Sequence, residues 1–195
     1  GNRNVAVGQG ALADQNYTTA TDSYNTAVGD SAGLQVTTGV QHTIIGALAG
    51  DALTDSGPVV AVGYEALSTE DRDGGGSTAI GYQALKTQNA GATAYNTTVG
   101  WQAGTAVTTG VQNTFIGGLA GDANTTGNEN TAIGYASLTT ATTANKNVAV
   151  GQANLQALNH TTGVDGYNTA VGHNAGYAVT TGISNTMVGA LAGDA

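Results

Sequence analysis

The sequence predicts an all-β fold, a parallel β-solenoid, and three observations support this. A phrase of the type Asn-Thr-Ala-Val-Gly recurs eleven times within 195 residues. Successive copies are 17 to 21 residues apart, most often 17, which suits one coil of a solenoid rather than one domain of an array. In every copy the residue before the final glycine is Val or Ile, a regularity that a disordered chain does not need. The repeat glycines are Gly8, Gly29, Gly46, Gly63, Gly81, Gly100, Gly117, Gly134, Gly151, Gly172 and Gly189.

Each coil is expected to contain one short strand that ends at a corner. In the copy beginning at Asn25, Thr26 and Val28 share one face of the strand and Ala27 takes the other. We expect the β-branched face to be packed in every coil, and the Ala27 face to let another chain approach closely. The glycine that follows is expected to form the corner, where a Cβ would be costly. Eleven coils stacked at about 4.8 Å would make a rod about 50 Å long.

The Ala position becomes large in every fourth coil. Ile44, Phe115 and Met187 occupy it, at intervals of 71 and 72 residues. This regularity predicts inter-chain plugs in an interface between copies of the chain. The alternative is that these side chains fill the core of their own chain.

The same period divides a single solenoid domain, 1–195, into super-repeat blocks of about 24–94, 95–166 and 167–195. Each block opens on a Tyr-Asn-Thr triplet, at Tyr24, Tyr95 and Tyr167. Extra residues collect just before these tyrosines, in 13–24, 86–95 and 156–167. Insertions in a solenoid form loops on one side, which often bind ligands; drift in a tolerant loop is the other interpretation.

The composition excludes several classes of partner. The formal net charge is −9 with only four Lys and Arg residues, too few to neutralise many phosphates, so neither nucleic acid nor an anionic membrane is an expected partner. There are no cysteines, and hence no disulfides or thiolate chemistry. No apolar run reaches membrane-spanning length and no signal peptide is visible. Solenoids normally carry polar caps at both ends. The sequence shows no such caps, so we expect the chain to be a segment of a longer fibre protein.

The repeats resemble those of known fibrous proteins over nearly the whole chain. Asn-Val-Ala-Val-Gly at Asn4 and Asn147, with Asn-Thr-Ala-Val-Gly at Asn25, resembles the repeat of trimeric autotransporter adhesin heads. The longer form, with a Thr-Thr-Gly-Val turn such as that at 108–111, resembles repeats of phage tail fibres. The resemblance implies a left-handed β-roll and a side-by-side homotrimer. A three-sided hexapeptide β-helix is the rival fold, since Val28, Leu34 and Val40 keep six-residue spacing.

The same resemblance implies a function and a location. It favours a structural shaft segment of a trimeric fibre on a virion, a phage tail fibre that holds or spaces a receptor-binding tip. The alternative is a bacterial adhesin head on the cell surface, which binds host matrix or glycans directly. The implied partners are copies of the chain itself and a host surface glycan or protein receptor.

No catalytic, metal or cofactor site is expected. The three histidines, His42, His160 and His173, lack the spacing of metal ligands, although one could meet its symmetry copies on a trimer axis. The stretch 71–76 begins like a calcium loop, but the rest of that motif is missing, so a solvated turn is expected. A solenoid hydrolase would need paired carboxylates in a groove, and the acidic residues lie mostly in turns.

Two columns of side chains suggest binding surfaces. Aromatic residues follow the corner glycine at Tyr64, Tyr82, Trp101 and Tyr135, and such a strip could contact glycans through flat apolar faces with polar edges. Sealing a trimer interface, or packing on a loop, is the alternative.

The second column is an array of hydroxyls, which suggests ice binding, but its Val and Ile partners predict a buried face. Its members are Thr26, Thr43, Thr78, Thr97, Thr114, Thr131, Thr169 and Thr186, with Val5, Val60 and Val148 as interruptions.

Overall fold

The computed structural model describes residues 1–71 and 75–194 and contains eleven strands there. Arg72, Asp73 and Gly74, at the centre of the charged stretch, lie outside the described residues, as does Ala195. In the described ranges no helix is long and apolar enough to cross a membrane. The strands are β1 Val5–Val7, β2 Thr26–Val28, β3 Thr43–Ile45, β4 Val60–Val62, β5 Thr78–Ile80, β6 Thr97–Val99, β7 Thr114–Ile116, β8 Thr131–Ile133, β9 Val148–Val150, β10 Thr169–Val171 and β11 Thr186–Val188.

All eleven strands form one parallel sheet in sequence order. Each pairs with the next without a shift in register, so that Thr26 lies opposite Thr43 and Ala27 opposite Ile44. A coil is numbered here by its strand, so coil 7 begins with β7. The predicted all-β parallel solenoid, with about 17 residues per coil, is confirmed.

The two faces of the sheet are the reverse of what the sequence suggested. The central residue of the strand points into the chain, and Ala27, Ala61 and Thr98 are fully buried. The flanking Thr and Val or Ile residues point outward and are half-buried or exposed in every coil. The prediction that Ala27 and its equivalents meet another chain is therefore wrong. The rest of each coil folds back beneath this face and in most coils leaves room for only a small side chain.

The turn after each strand has a regular backbone. The corner glycines have φ between 127° and 143°. The second and fourth residues after the corner are left-handed, even where they are not glycine; after Gly63 these are Glu65 (φ 51°) and Leu67 (φ 52°). Their amides donate to opposite neighbours, Glu65 to Ala47 O of the coil before and Leu67 to Ala84 O of the coil after. These bonds offset a conformational cost of about 1–2 kcal/mol per left-handed residue.

The strand centre and the fourth turn position divide the core volume between them. Where the strand centre is Ala61, the turn position is the buried Leu67. Where the strand centre is Phe115, the turn position is Gly121, and a Cβ built on it would come within 2.7 Å of the ring. The coil before each large residue also carries glycine there, and these pairs of glycines are Gly33 and Gly50, Gly104 and Gly121, and Gly176 and Gly193.

This exchange of volume recurs every fourth coil, at the three large residues of the strand centre. Ile44 and Phe115 are fully buried within their own chain, which contradicts the prediction that they plug an interface between chains. Met187, in the last coil, is partly buried and packs against the same core. Its sulfur lies 2.7 Å from a Cβ built on Gly193. The alternative from the sequence, that these residues fill a single-chain core, describes the structure.

A ladder of asparagines runs along the inside of the solenoid at the residue before eight of the eleven strands, with His42, Val59 and Ser77 at this position before β3, β4 and β5. The Oδ1 of Asn113 accepts the backbone N–H of Asn130 at 2.9 Å, and its Nδ2 donates to Gly127 O at 2.8 Å. Equivalent N–H to Oδ1 bonds join Asn96 to Asn113 and Asn130 to Asn147. Buried backbone groups need such partners, so the asparagines tie each coil to the next.

Candidate functional site

The aromatic residues predicted as a strip lie directly after the corner glycine, where the chain leaves the sheet. Tyr64, Tyr82 and Trp101 belong to successive coils and are between 43% and 52% exposed. The Tyr64 and Tyr82 rings are 5.6 Å apart with planes inclined by 15°, and Tyr82 and Trp101 are 6.3 Å apart and inclined by 9°. These are stacked pairs within the favourable range of separations. We call these three residues the aromatic ladder.

Stacking changes what the ladder can offer a ligand. Both faces of Tyr82 are occupied by its neighbours, so only its edge points outward. The sequence suggested a strip of flat apolar faces, but the faces that remain free are those at the two ends. One of them is the face of Trp101 on the side of coil 7.

Tyr135 is not part of the stack. Coil 7 carries Gly118 at the ladder position, so one rung is missing between Trp101 and Tyr135. Tyr135 is 57% exposed, and within the described ranges no stacking contact joins it to Trp101. The nearest atoms to a Cβ built on Gly118 are a Tyr135 ring carbon at 3.6 Å and the Trp101 carbonyl oxygen at 3.9 Å.

A second ladder, made of polar side chains, runs beside the aromatic one. Gln102 Nε2 donates to Gln83 Oε1 at 2.8 Å, and Gln83 Nε2 donates to Glu65 Oε2 at 2.7 Å. Lys86 Nζ donates to the same Glu65 oxygen at 2.5 Å. The hydrogen bonds from Lys86 and Gln83 lower the pKa of the Glu65 carboxyl, while the charge of Glu65 raises the pKa of the Tyr64 phenol. The site therefore combines stacked rings with a row of hydrogen-bonding groups.

Sequence reasoning missed this polar ladder and the missing rung. Both are visible when the repeats are aligned on their corner glycines, because one column then reads Tyr, Tyr, Trp, Gly, Tyr and the next begins Glu65, Gln83, Gln102. The polar column was overlooked because single glutamines and glutamates in turns are ordinary. Only stacking of the coils makes them neighbours.

The histidines do not come together. His42 and His160 are buried in different parts of the solenoid and His173 is exposed. Burial lowers the pKa of His42 to about 4, and neither of its ring nitrogens has a hydrogen-bond partner among the described residues. Within the described ranges no group of three or more His, Cys, Asp or Glu side chains could hold a metal ion.

The threonine column lies on the outside of the sheet. Its partner column of Val and Ile is half-buried or exposed, and the exposed members range from 36% at Ile116 to 70% at Val188. The inference from the sequence that this face is buried within the chain is therefore wrong. The face is a regular array in which rows of Thr and Val or Ile repeat from coil to coil.

Compared with protein-family models, with curated proteins and with solved structures, the chain matches none of them.

Proposed function

We propose that this chain is a structural shaft segment of a trimeric attachment fibre, a viral tail fibre that holds or spaces a receptor-binding tip. The observation that supports it most directly is the unbroken parallel sheet of eleven strands in register. A hydrogen-bonded ladder runs through the sheet from β1 to β11, and buried asparagines add further bonds between coils 6 to 11. An element of this kind transmits force along its axis and maintains spacing, which is what a shaft requires.

The outer face of the sheet supports self-association. Val and Ile residues at the third strand position form a continuous apolar row that includes Ile80, Ile116 and Ile133, each 36% to 37% exposed. No charged residue occupies any position of the eleven strands. A contiguous apolar surface of this length is typical of an interface. We propose that copies of the chain meet through this face, rather than through the Ala face expected from the sequence.

The mass of the purified chain in solution tests the proposal. Light scattering should give about three times the 19.1 kDa of one chain. The Ile80→Lys/Ile116→Lys variant places two charges in the proposed interface and should reduce the mass to that of a monomer with the β-sheet circular dichroism unchanged. Thr109→Lys, at an exposed turn position, is the matched control and should remain trimeric. A wild-type chain that is monomeric at all concentrations would contradict the trimer.

A bacterial adhesin head that binds glycans directly is the second candidate, favoured by the exposed aromatic ladder and its polar neighbour. The remote alternative is an ice-binding solenoid, which the outward Thr and Val array makes worth testing. A monomer that depresses the freezing point of water below its melting point would support ice binding. A trimer that has no such activity would support the shaft.

A further inference from the structure

We propose that the missing rung at Gly118 is a binding site for one neutral pyranose unit of a glycan, held between the rings of Trp101 and Tyr135. This site goes beyond the shaft function. The aromatic ladder is continuous from Tyr64 to Trp101, is interrupted in coil 7, and resumes with Tyr135 in coil 8. The interruption leaves no ring between Trp101 and Tyr135, because Gly118 has no side chain.

The size of the gap fits a single ring-shaped guest. Trp101 and Tyr135 are two coils apart, which at about 4.8 Å per strand spacing is about 10 Å along the solenoid. A guest ring can therefore stack on the free face of Trp101, with the Tyr135 ring beyond it. Gly118 provides the floor, since it has no side chain to occupy the space. The Tyr135 ring already lies against Gly118, at 3.6 Å from a Cβ built there, so the open side is toward Trp101.

The groups around the gap favour a neutral, hydroxyl-rich ligand. Gln102 follows Trp101 directly and its Nε2 is engaged with Gln83, while within the described ranges no donor is recorded for its Oε1. That oxygen is an acceptor for a ligand hydroxyl. Among the described residues no cation pairs with this end of the ladder, and Lys86 is engaged with Glu65. With a net charge of −9 on the chain, an anionic ligand would be repelled. A ligand that suits this site therefore has apolar C–H faces and hydroxyl groups at its edges, and a pyranose has both.

The other end of the ladder provides a comparison. Tyr64 is preceded in coil 3 by Ala47, so its outer face is also free, but no aromatic residue stands beyond it. The Tyr64 face alone cannot hold a sugar ring from both sides. The site is therefore placed at coil 7 and not at both ends of the ladder.

The test uses the fluorescence of Trp101, which is the only tryptophan in the chain. Tetramers of glucose, N-acetylglucosamine and mannose are titrated separately to about 10 mM, and saturation-transfer NMR of each sugar gives an independent measure of binding. We expect at least one tetramer to bind and to change the emission. Tyr135→Ala should weaken that binding by up to about tenfold, the effect of losing one stacked face.

Two variants that add a tyrosine distinguish the gap from the ladder as a whole. The backbone of Gly118 lies outside the left-handed region, so Gly118→Tyr can supply the missing rung; it should abolish binding while the melting temperature stays the same or rises. Ala47→Tyr adds a rung at the other end and should bind as the wild type does. Absence of binding by all three tetramers, or full binding by Gly118→Tyr, would overturn the proposal. Neither result bears on the trimer, which the solution mass tests separately.

Discussion

Phe115 and Gly121 share one layer of the core, and the absence of a side chain on Gly121 makes room for the ring. A Cβ on Gly121 would lie 2.7 Å from three carbons of Phe115, closer than packed atoms allow. In coils 1, 4, 5, 8 and 9 the strand centre is alanine and the position of Gly121 is leucine, with the same left-handed backbone, as Leu67 at φ 52° and Gly121 at φ 57° show. The solenoid thus has two interchangeable ways to fill one coil.

This relationship predicts strong coupling between the two positions. Phe115→Ala alone should lower the free energy of unfolding by about 3–5 kcal/mol, because it leaves a cavity. Gly121→Leu alone should cost about 1–3 kcal/mol by overpacking against the ring. The double variant restores the Ala61 and Leu67 arrangement, so its loss should be smaller than the sum by about 1–3 kcal/mol. Urea unfolding of the four proteins measures this difference.

A distant pair serves as the control for that cycle. Gly33 lies in the coil before Ile44, just as Gly104 lies in the coil before Phe115. Gly33 is several coils away from Phe115. Phe115→Ala combined with Gly33→Leu should therefore show additive losses. Additivity in the Phe115 and Gly121 pair as well would mean that the two positions do not exchange volume.

The repeat phrase predicts the solenoid and the position of every strand, because Val or Ile before a corner glycine is a strong local signal. It does not reveal which face is inside. A strand of Thr, Ala and Val can bury either face, and the decision rests with the turn that folds beneath Ala27. That turn is hard to foresee, since it places Leu67 and its equivalents in a left-handed conformation that leucine rarely adopts. The missing rung at Gly118 is likewise invisible until the coils are stacked.

The corner glycines predict a contrast between the middle and the end of the solenoid. Gly117 (φ 130°) and Gly189 (φ 127°) have the same backbone, but a Cβ on Gly117 would lie 2.6 Å from Gly134 O, while a Cβ on Gly189 meets nothing within 4 Å. Gly189→Ala should therefore cost only the conformational strain, about 1–3 kcal/mol. Gly117→Ala should cost measurably more, because it also pushes two coils apart. Equal losses in thermal unfolding would show that strain alone requires glycine at these corners.

The buried asparagine ladder should be sensitive to loss of one amide. Asn113→Ala leaves the Asn130 N–H and the Gly127 carbonyl without their partners, and each such group costs about 1–3 kcal/mol when buried. We expect a combined loss of about 2–4 kcal/mol in chemical denaturation. Asn185→Ala is the control, since Asn185 lies in the last coil and is only partly buried, and it should cost less. Equal losses at both positions would mean that the ladder contributes little through its buried bonds.

His42 predicts a loss of stability in acid. It occupies a ladder position that is asparagine in most coils, and burial lowers its pKa from 6.5 to about 4. The unfolded chain therefore binds a proton more readily than the folded chain below pH 6.5. The contribution of neutral His42 to the free energy of unfolding is fully present above that pH and falls as the pH decreases. The loss is complete below a pH of about 4. At 1.36 kcal/mol per pKa unit the total loss is roughly 3 kcal/mol.

The His42→Asn variant isolates this effect from other titrating groups. Burial raises the pKa of Asp51 and Asp122, and these carboxyls act in the opposite sense, since their folded forms bind protons more readily. Both proteins contain them, so the difference between the two removes their contribution. The asparagine can also accept and donate as its neighbours in the ladder do. The unfolding free energy of wild type relative to His42→Asn should therefore decrease between pH 6.5 and pH 4, and a difference that is independent of pH would show that His42 is already protonated, or accessible to water, in the folded chain.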